Sequence, residues 1–116
     1  MKQRIITVPK NKIVEEALNY NEATKTQLIE LYLSDEEFKL LYKNGFFKLI
    51  NQTASVNVDD YEDDCLIGEE KIKDVIKVIK LKKNFFDSSS LGNLIAEIIS
   101  LFEEALNRDV GVYFYF

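Results

Sequence analysis

Val110-Gly111-Val112-Tyr113-Phe114-Tyr115-Phe116 closes the 116-residue sequence, and its reading decides the fold. Val112, Phe114 and Phe116 alternate with Tyr113 and Tyr115, with Val110 before them, the two-residue period of a β-strand. A strand this rich in aromatics invites pairing wherever its edge is exposed, so it belongs inside a sheet. The natural neighbour is the segment at the other end of the chain, Arg4-Ile5-Ile6-Thr7-Val8-Pro9. Ile5, Ile6 and Val8 are β-branched, and Pro9, the one proline, ends the run.

Between these two segments the pattern is helical. Leu91, Leu94, Ile95, Ile98, Phe102, Ala105 and Leu106 recur at helical spacing over residues 91–107, opened by the turn cluster Asp87-Ser88-Ser89-Ser90 and closed at Arg108-Asp109. This helix should lie at the centre of the core. Residues 69–83 carry Ile72, Val75, Ile76 and Ile79 on one face and Lys73, Lys77 and Lys80 on another. Glu69 and Glu70 at the start, with Lys80, Lys82 and Lys83 at the end, complement the helix dipole. Ser34-Asp35-Glu36-Glu37 is a capping box before Phe38, Leu41 and Tyr42, and Gly45 can end that helix in the left-handed conformation. Residues 46–53 fit a short helix at least as well as a strand. Val56 and Val58 suggest a brief extended piece. Ile13, Val14, Ala17 and Leu18 mark a helix over residues 11–20, and Thr24 with Gln27 predicts a helical run through Leu28, Ile29, Leu31, Tyr32 and Leu33. The expected fold is α+β: a helix-rich single domain over residues 1–116, with a small sheet formed by the N- and C-terminal strands.

Composition narrows the function. Apolar residues make up 47% and charged residues 30%, the balance of a chain that folds around a core rather than one that stays disordered. The lone Cys65 allows no internal disulfide, as a reducing compartment permits. The first residues have too short an apolar run for a signal peptide, and no stretch approaches the roughly 20 apolar residues of a membrane span. A cytoplasmic protein is expected. The sequence has no histidine, which removes Ser-His and Cys-His pairs, the usual zinc sites and the commonest general base.

The charge is unevenly placed. Asn57-Val58-Asp59-Asp60-Tyr61-Glu62-Asp63-Asp64-Cys65-Leu66-Ile67-Gly68-Glu69-Glu70 holds seven carboxylates and no Lys or Arg. The whole chain has 20 acidic and 15 basic residues, so without those seven the balance would be slightly basic. Such a concentration opposes folding through self-repulsion and creates a field that attracts a basic partner. Glu69 and Glu70 are accounted for at a helix start, and a charge run is commonly a solvated loop. Five acids in the six positions 59–64 exceed what capping or solubility requires, and Tyr61 among them offers rigid amphipathic contact area. The candidate binding residues are Asp59, Asp60, Tyr61, Glu62, Asp63, Asp64, Glu69 and Glu70.

The chemical alternatives are weaker. Asp63 and Asp64 would raise the Cys65 thiol pKa, the wrong direction for a nucleophile, and Cys65-Leu66-Ile67 reads as a buried apolar anchor. The acids do not match the EF-hand pattern: Tyr61 stands at its third position and Asp64 where the turn glycine belongs. The lysines at 73, 77, 80, 82 and 83 lack aromatic interleaving and read as a solvated face rather than a nucleic-acid surface. No cofactor, metal or catalytic residue is expected. A homo-oligomeric module using the aromatic strand 110–116 is the second reading.

Two passages carry a family resemblance. Asp59 to Asp64 followed by Ile67 and an amphipathic helix, together with the ending Gly111 to Phe116, resemble small bacterial immunity proteins encoded beside polymorphic and contact-dependent growth-inhibition toxins. The resemblance covers residues 44–116. It implies a cytosolic protein without activity of its own that binds and blocks a cognate toxin domain, often a nuclease with a basic cleft. Asp59 to Asp64 would then take the place of nucleic-acid phosphates. Gly111 to Phe116 would belong to the fold.

Overall fold

In the computed structural model, which describes residues 3–59, 63–82 and 89–116, the C-terminal strand is paired on both sides. Strands β1 (Arg4–Pro9), β2 (Leu28–Leu33), β3 (Asp64–Leu66) and β4 (Val112–Tyr115) form one antiparallel sheet in the order β2-β1-β4-β3. Ile6 stands opposite Phe114 and Thr7 opposite Tyr113, while Cys65 faces Tyr113 from the other side. The two chain ends do pair, as expected, and the sheet takes two further strands as its edges. The fold is α+β. Within it β4 is flanked by β1 over Tyr113–Tyr115 and by β3 over Val112–Phe114.

One correction concerns Leu28–Leu33. Gln27 does accept from the Thr24 N–H at 3.0 Å, yet the helix it opens is a single 3₁₀ turn, Lys25–Gln27. The chain then pairs with β1 over all six residues, from Pro9↔Leu28 to Arg4↔Leu33. A short apolar run has no decisive period, and the backbone of β1 offers it a ladder that local propensity cannot match.

Helices α1 (Lys12–Asn19), α2 (Asp35–Lys43), α3 (Phe46–Ala54), α4 (Glu69–Leu81) and α5 (Ser89–Arg108) complete the described structure. The capping box is real: Ser34 Oγ accepts from Glu37 N–H at 3.1 Å, and Glu37 accepts from Ser34 N–H at 2.9 Å. Gly45, at φ 77°, turns the chain from α2 into α3, which settles residues 46–53 as helix. Asp87, Ser88 and Lys83 fall outside the described residues, so their capping and helix-end roles do too. The α5 C-terminus turns through Asp109 at φ 56°, with Val110 N–H bonded to Ala105 O at 3.0 Å. That Schellman arrangement aims the chain directly into β4.

Helices α2 to α5 cover one face of the sheet. Ile6, Val8, Leu66, Val112 and Phe114 point into it and are fully buried against Ile98, Phe102 and Ala105 of α5 and the apolar faces of α2, α3 and α4. Phe102 meets Phe114 edge-on at 6.1 Å, and Phe116 stands between Phe38 and Phe47 at 5.2 Å from each. Arg4 closes the β1 end of this core, with its guanidinium 4.3 Å over the Phe38 ring and paired to Asp35. No helix among the described residues is long and apolar enough to cross a membrane.

Candidate protein-binding surface

The acidic segment starts from α3. Asn51 grips the Val58 backbone from both sides, its Oδ1 accepting the Val58 N–H at 2.7 Å and its Nδ2 donating to Val58 O at 3.0 Å. Exposed Asp59 follows directly. Asp64 then closes the segment on itself, one oxygen accepting Asn57 N–H at 2.6 Å and the other Cys65 N–H at 2.8 Å. Asp63 accepts the Phe116 N–H at 3.1 Å and so ties the loop to the aromatic cluster of the core. Two of the predicted contact residues, Asp63 and Asp64, are therefore also structural. Asp60, Tyr61 and Glu62 lie outside the described residues.

Glu69 and Glu70 are elsewhere. Antiparallel pairing puts Asp64 opposite Phe114 and Leu66 opposite Val112, so the chain reaches α4 at the far end of β4. There Glu69 pairs with Lys73 at 2.6 Å, one turn along the same helix, and Glu70 is exposed. The triplet at 65–67 is not a buried anchor, because its residues alternate as a strand leaves the sheet: Leu66 is buried, Cys65 is half-buried, and Ile67 is 51% exposed.

Near that far end, α1 packs over the sheet's second face. Glu15 Oε2 accepts both the Gly111 N–H at 2.7 Å and the Tyr113 hydroxyl at 3.1 Å. Gly111 is required by close approach: a Cβ there would lie 2.8 Å from Leu66 O and 2.5 Å from Ile67 Cδ1. The same corner holds a cleft of about 200 Å³ between Lys12, Glu69, Asp109 and Gly111.

Among the described residues the second face is left partly exposed at the acidic end, a surface that a count of charges does not reveal. Ile5 stands between Tyr32 of β2 and Tyr115 of β4, and the Tyr113 and Tyr115 rings stack at 6.4 Å. Tyr32 is 45% exposed and Tyr115 half-buried. The alternation of tyrosine with phenylalanine in β4 is the signal that could find it, since hydroxyls mark the wetter face. Burial, and then the Asp63 charge, push the Tyr115 hydroxyl pKa up; burial and Glu15 do so for Tyr113. Burial also raises the Cys65 thiol, reinforced by Asp64 and Glu15, in the direction its sequence neighbours predict. The arrangement sets tyrosines beside carboxylates, with a thiol held above its ordinary pKa. No group of three or more His, Cys, Asp or Glu among the described residues converges as metal ligands would.

No family model, curated protein or solved structure matches this chain.

Proposed function

We propose that this chain is a binding protein without chemistry of its own, which docks the acidic loop and the neighbouring tyrosines on a basic partner. The partner it fits is the basic cleft of a toxin domain, so the protein acts as an immunity protein, in line with the resemblance of residues 44–116. One observation carries the reading. The loop is pinned at both ends, by Asn51 on Val58 and by Asp64 on Asn57 and Cys65, next to Tyr115. The described residues on either side of the acidic run are held by the fold before any partner arrives, and such preorganisation favours affinity. A dense carboxylate field on such a frame steers a basic partner quickly and gives a salt-sensitive complex.

The test is co-production in growing cells with the basic domain encoded by the neighbouring reading frame. Wild-type protein is expected to restore growth and to copurify at low salt. Asp60→Lys with Glu62→Lys is expected to abolish both, with the melting temperature unchanged. Asp63 and Asp64 should be left intact in this variant, because each holds a backbone N–H of the fold. Full protection by the double variant would overturn the reading.

A further inference from the structure

The two edges of the sheet are not protected alike. β3 is three residues long, and carboxylates stand at its start in Asp63 and Asp64; short length and charge are the usual defences of an edge. β2 has neither. Leu28-Ile29-Glu30-Leu31-Tyr32-Leu33 runs six residues without proline, lysine or bulge, pairs only with β1 among the described residues, and is partly exposed at every position but Leu33. Its outward-pointing backbone donors and acceptors form a template for another strand.

We propose that this edge pairs with the same edge of a second copy, giving a two-fold dimer with one continuous sheet. Symmetry restricts the register. Leu28, Glu30 and Tyr32 lie on the open face and Ile29, Leu31 and Leu33 on the core face, by their pairing with β1. A two-fold axis normal to the sheet keeps each face, so a residue must meet one of the same set. With Glu30 on the axis, two carboxylates would stand opposite each other, which is unfavourable. Moving the axis to Leu31 removes that conflict. Glu30 then meets Tyr32 of the second copy, twice, and Ile29 meets Leu33. Within one chain the Tyr32 hydroxyl reaches Glu30 at only 3.5 Å, so a hydrogen bond across the dimer is open to both.

The flanks agree in charge. Lys25 precedes β2, and Asp35, Glu36 and Glu37 follow it; antiparallel pairing sets the basic end of each strand beside the acidic end of the other. A single added strand buries less than the standard interface, so the dimer is weak, half-formed at tens to hundreds of micromolar on the order of transient complexes.

Sedimentation equilibrium of the full chain from about 5 µM to 1 mM tests this, with hydrogen exchange at both extremes. Wild-type protein is expected to dimerise reversibly, with amides of residues 28–33 gaining protection at the high concentration. Tyr32→Glu sets a carboxylate opposite Glu30 at both pairs and should weaken the dimer about fivefold to thirtyfold. Tyr32→Lys sets a cation there and should dimerise at least as well as wild type. Position 32 is exposed, so neither change should disturb the fold, which circular dichroism checks. A chain that is monomeric at 1 mM, a dimer whose 28–33 amides stay unprotected, or equal dissociation constants for the Glu and Lys variants would each overturn the proposal. It stands independently of the toxin partner.

Discussion

The two faces of the sheet are made by alternate residues of the same strands, and they differ in kind. On the helix-covered face Ile6, Val8, Leu66, Val112 and Phe114 are fully buried and carry no polar side-chain atom. On the other, Thr7, Cys65, Tyr113 and Tyr115 each bring one, beside Ile5, and α1 covers only part of them. The first face can be filled for volume alone. The second must answer for each hydroxyl, and it does so unevenly: Tyr113 has Glu15, whereas Thr7 Oγ1 is buried without a hydrogen-bond partner among the described residues. Stability resides on the first face. The second is more exposed at Tyr32 and Tyr115 and, among the described residues, leaves the buried Thr7 hydroxyl unpaired.

The largest difference should appear on truncating neighbours in β4. Phe114→Ala leaves a cavity under Phe102 and is expected to cost about 3–5 kcal/mol by urea denaturation. Tyr115→Ala, half-exposed on the other face, should cost roughly 1–2 kcal/mol. Equal losses would mean that the faces are energetically alike. Next comes Glu15→Ala, which strips the acceptor from Gly111 N–H and the Tyr113 hydroxyl and should cost about 1–3 kcal/mol. Glu15→Gln keeps a carbonyl oxygen for the same bonds and should lose less than half of that.

The difference between faces is written in the sequence as the Phe/Tyr alternation of β4, and so is the stripe Leu91 to Leu106 that packs on it. The Ser34–Glu37 capping box is legible there because both partners sit within one turn. Leu28–Leu33 misleads a local reading because strand pairing is a contact with β1, from Pro9↔Leu28 to Arg4↔Leu33, that no local period records. The candidate site is legible as charge but not as geometry. Nothing in the residues around Asp64 shows that it closes its own loop, and Glu15 is 96 residues from the Gly111 N–H it accepts. The count of acids likewise gives no hint that β3 carries the chain, and with it Glu69 and Glu70, away from Asp59.

A smaller effect should run in the opposite direction. Thr7→Val replaces a buried, unpartnered hydroxyl by a methyl of the same shape, and is expected to stabilise by about 1 kcal/mol. A loss instead would show that the hydroxyl has a partner in solution and that the second face is fully satisfied.

The finest distinction lies within the second face and is read by pH. Both tyrosines titrate above their ordinary value in the fold, Tyr113 further than Tyr115, because burial and nearby carboxylates disfavour the phenolate. The unfolded chain ionises them near pH 10, so their contribution is complete below about pH 10 and is lost as pH rises through the folded values. Stability measured by urea denaturation should therefore fall above about pH 10. Tyr113→Phe should flatten that fall most, and Glu15→Gln in part, since it removes the second-largest cause of the raised pKa. Tyr115→Phe should flatten it least and change stability at neutral pH by less than about 0.5 kcal/mol, the usual range for a change away from buried contacts. If Tyr115→Phe also weakens partner binding at neutral pH, its hydroxyl serves the partner and not the fold, which is the division of labour between the two tyrosines that Glu15 and Asp63 set up.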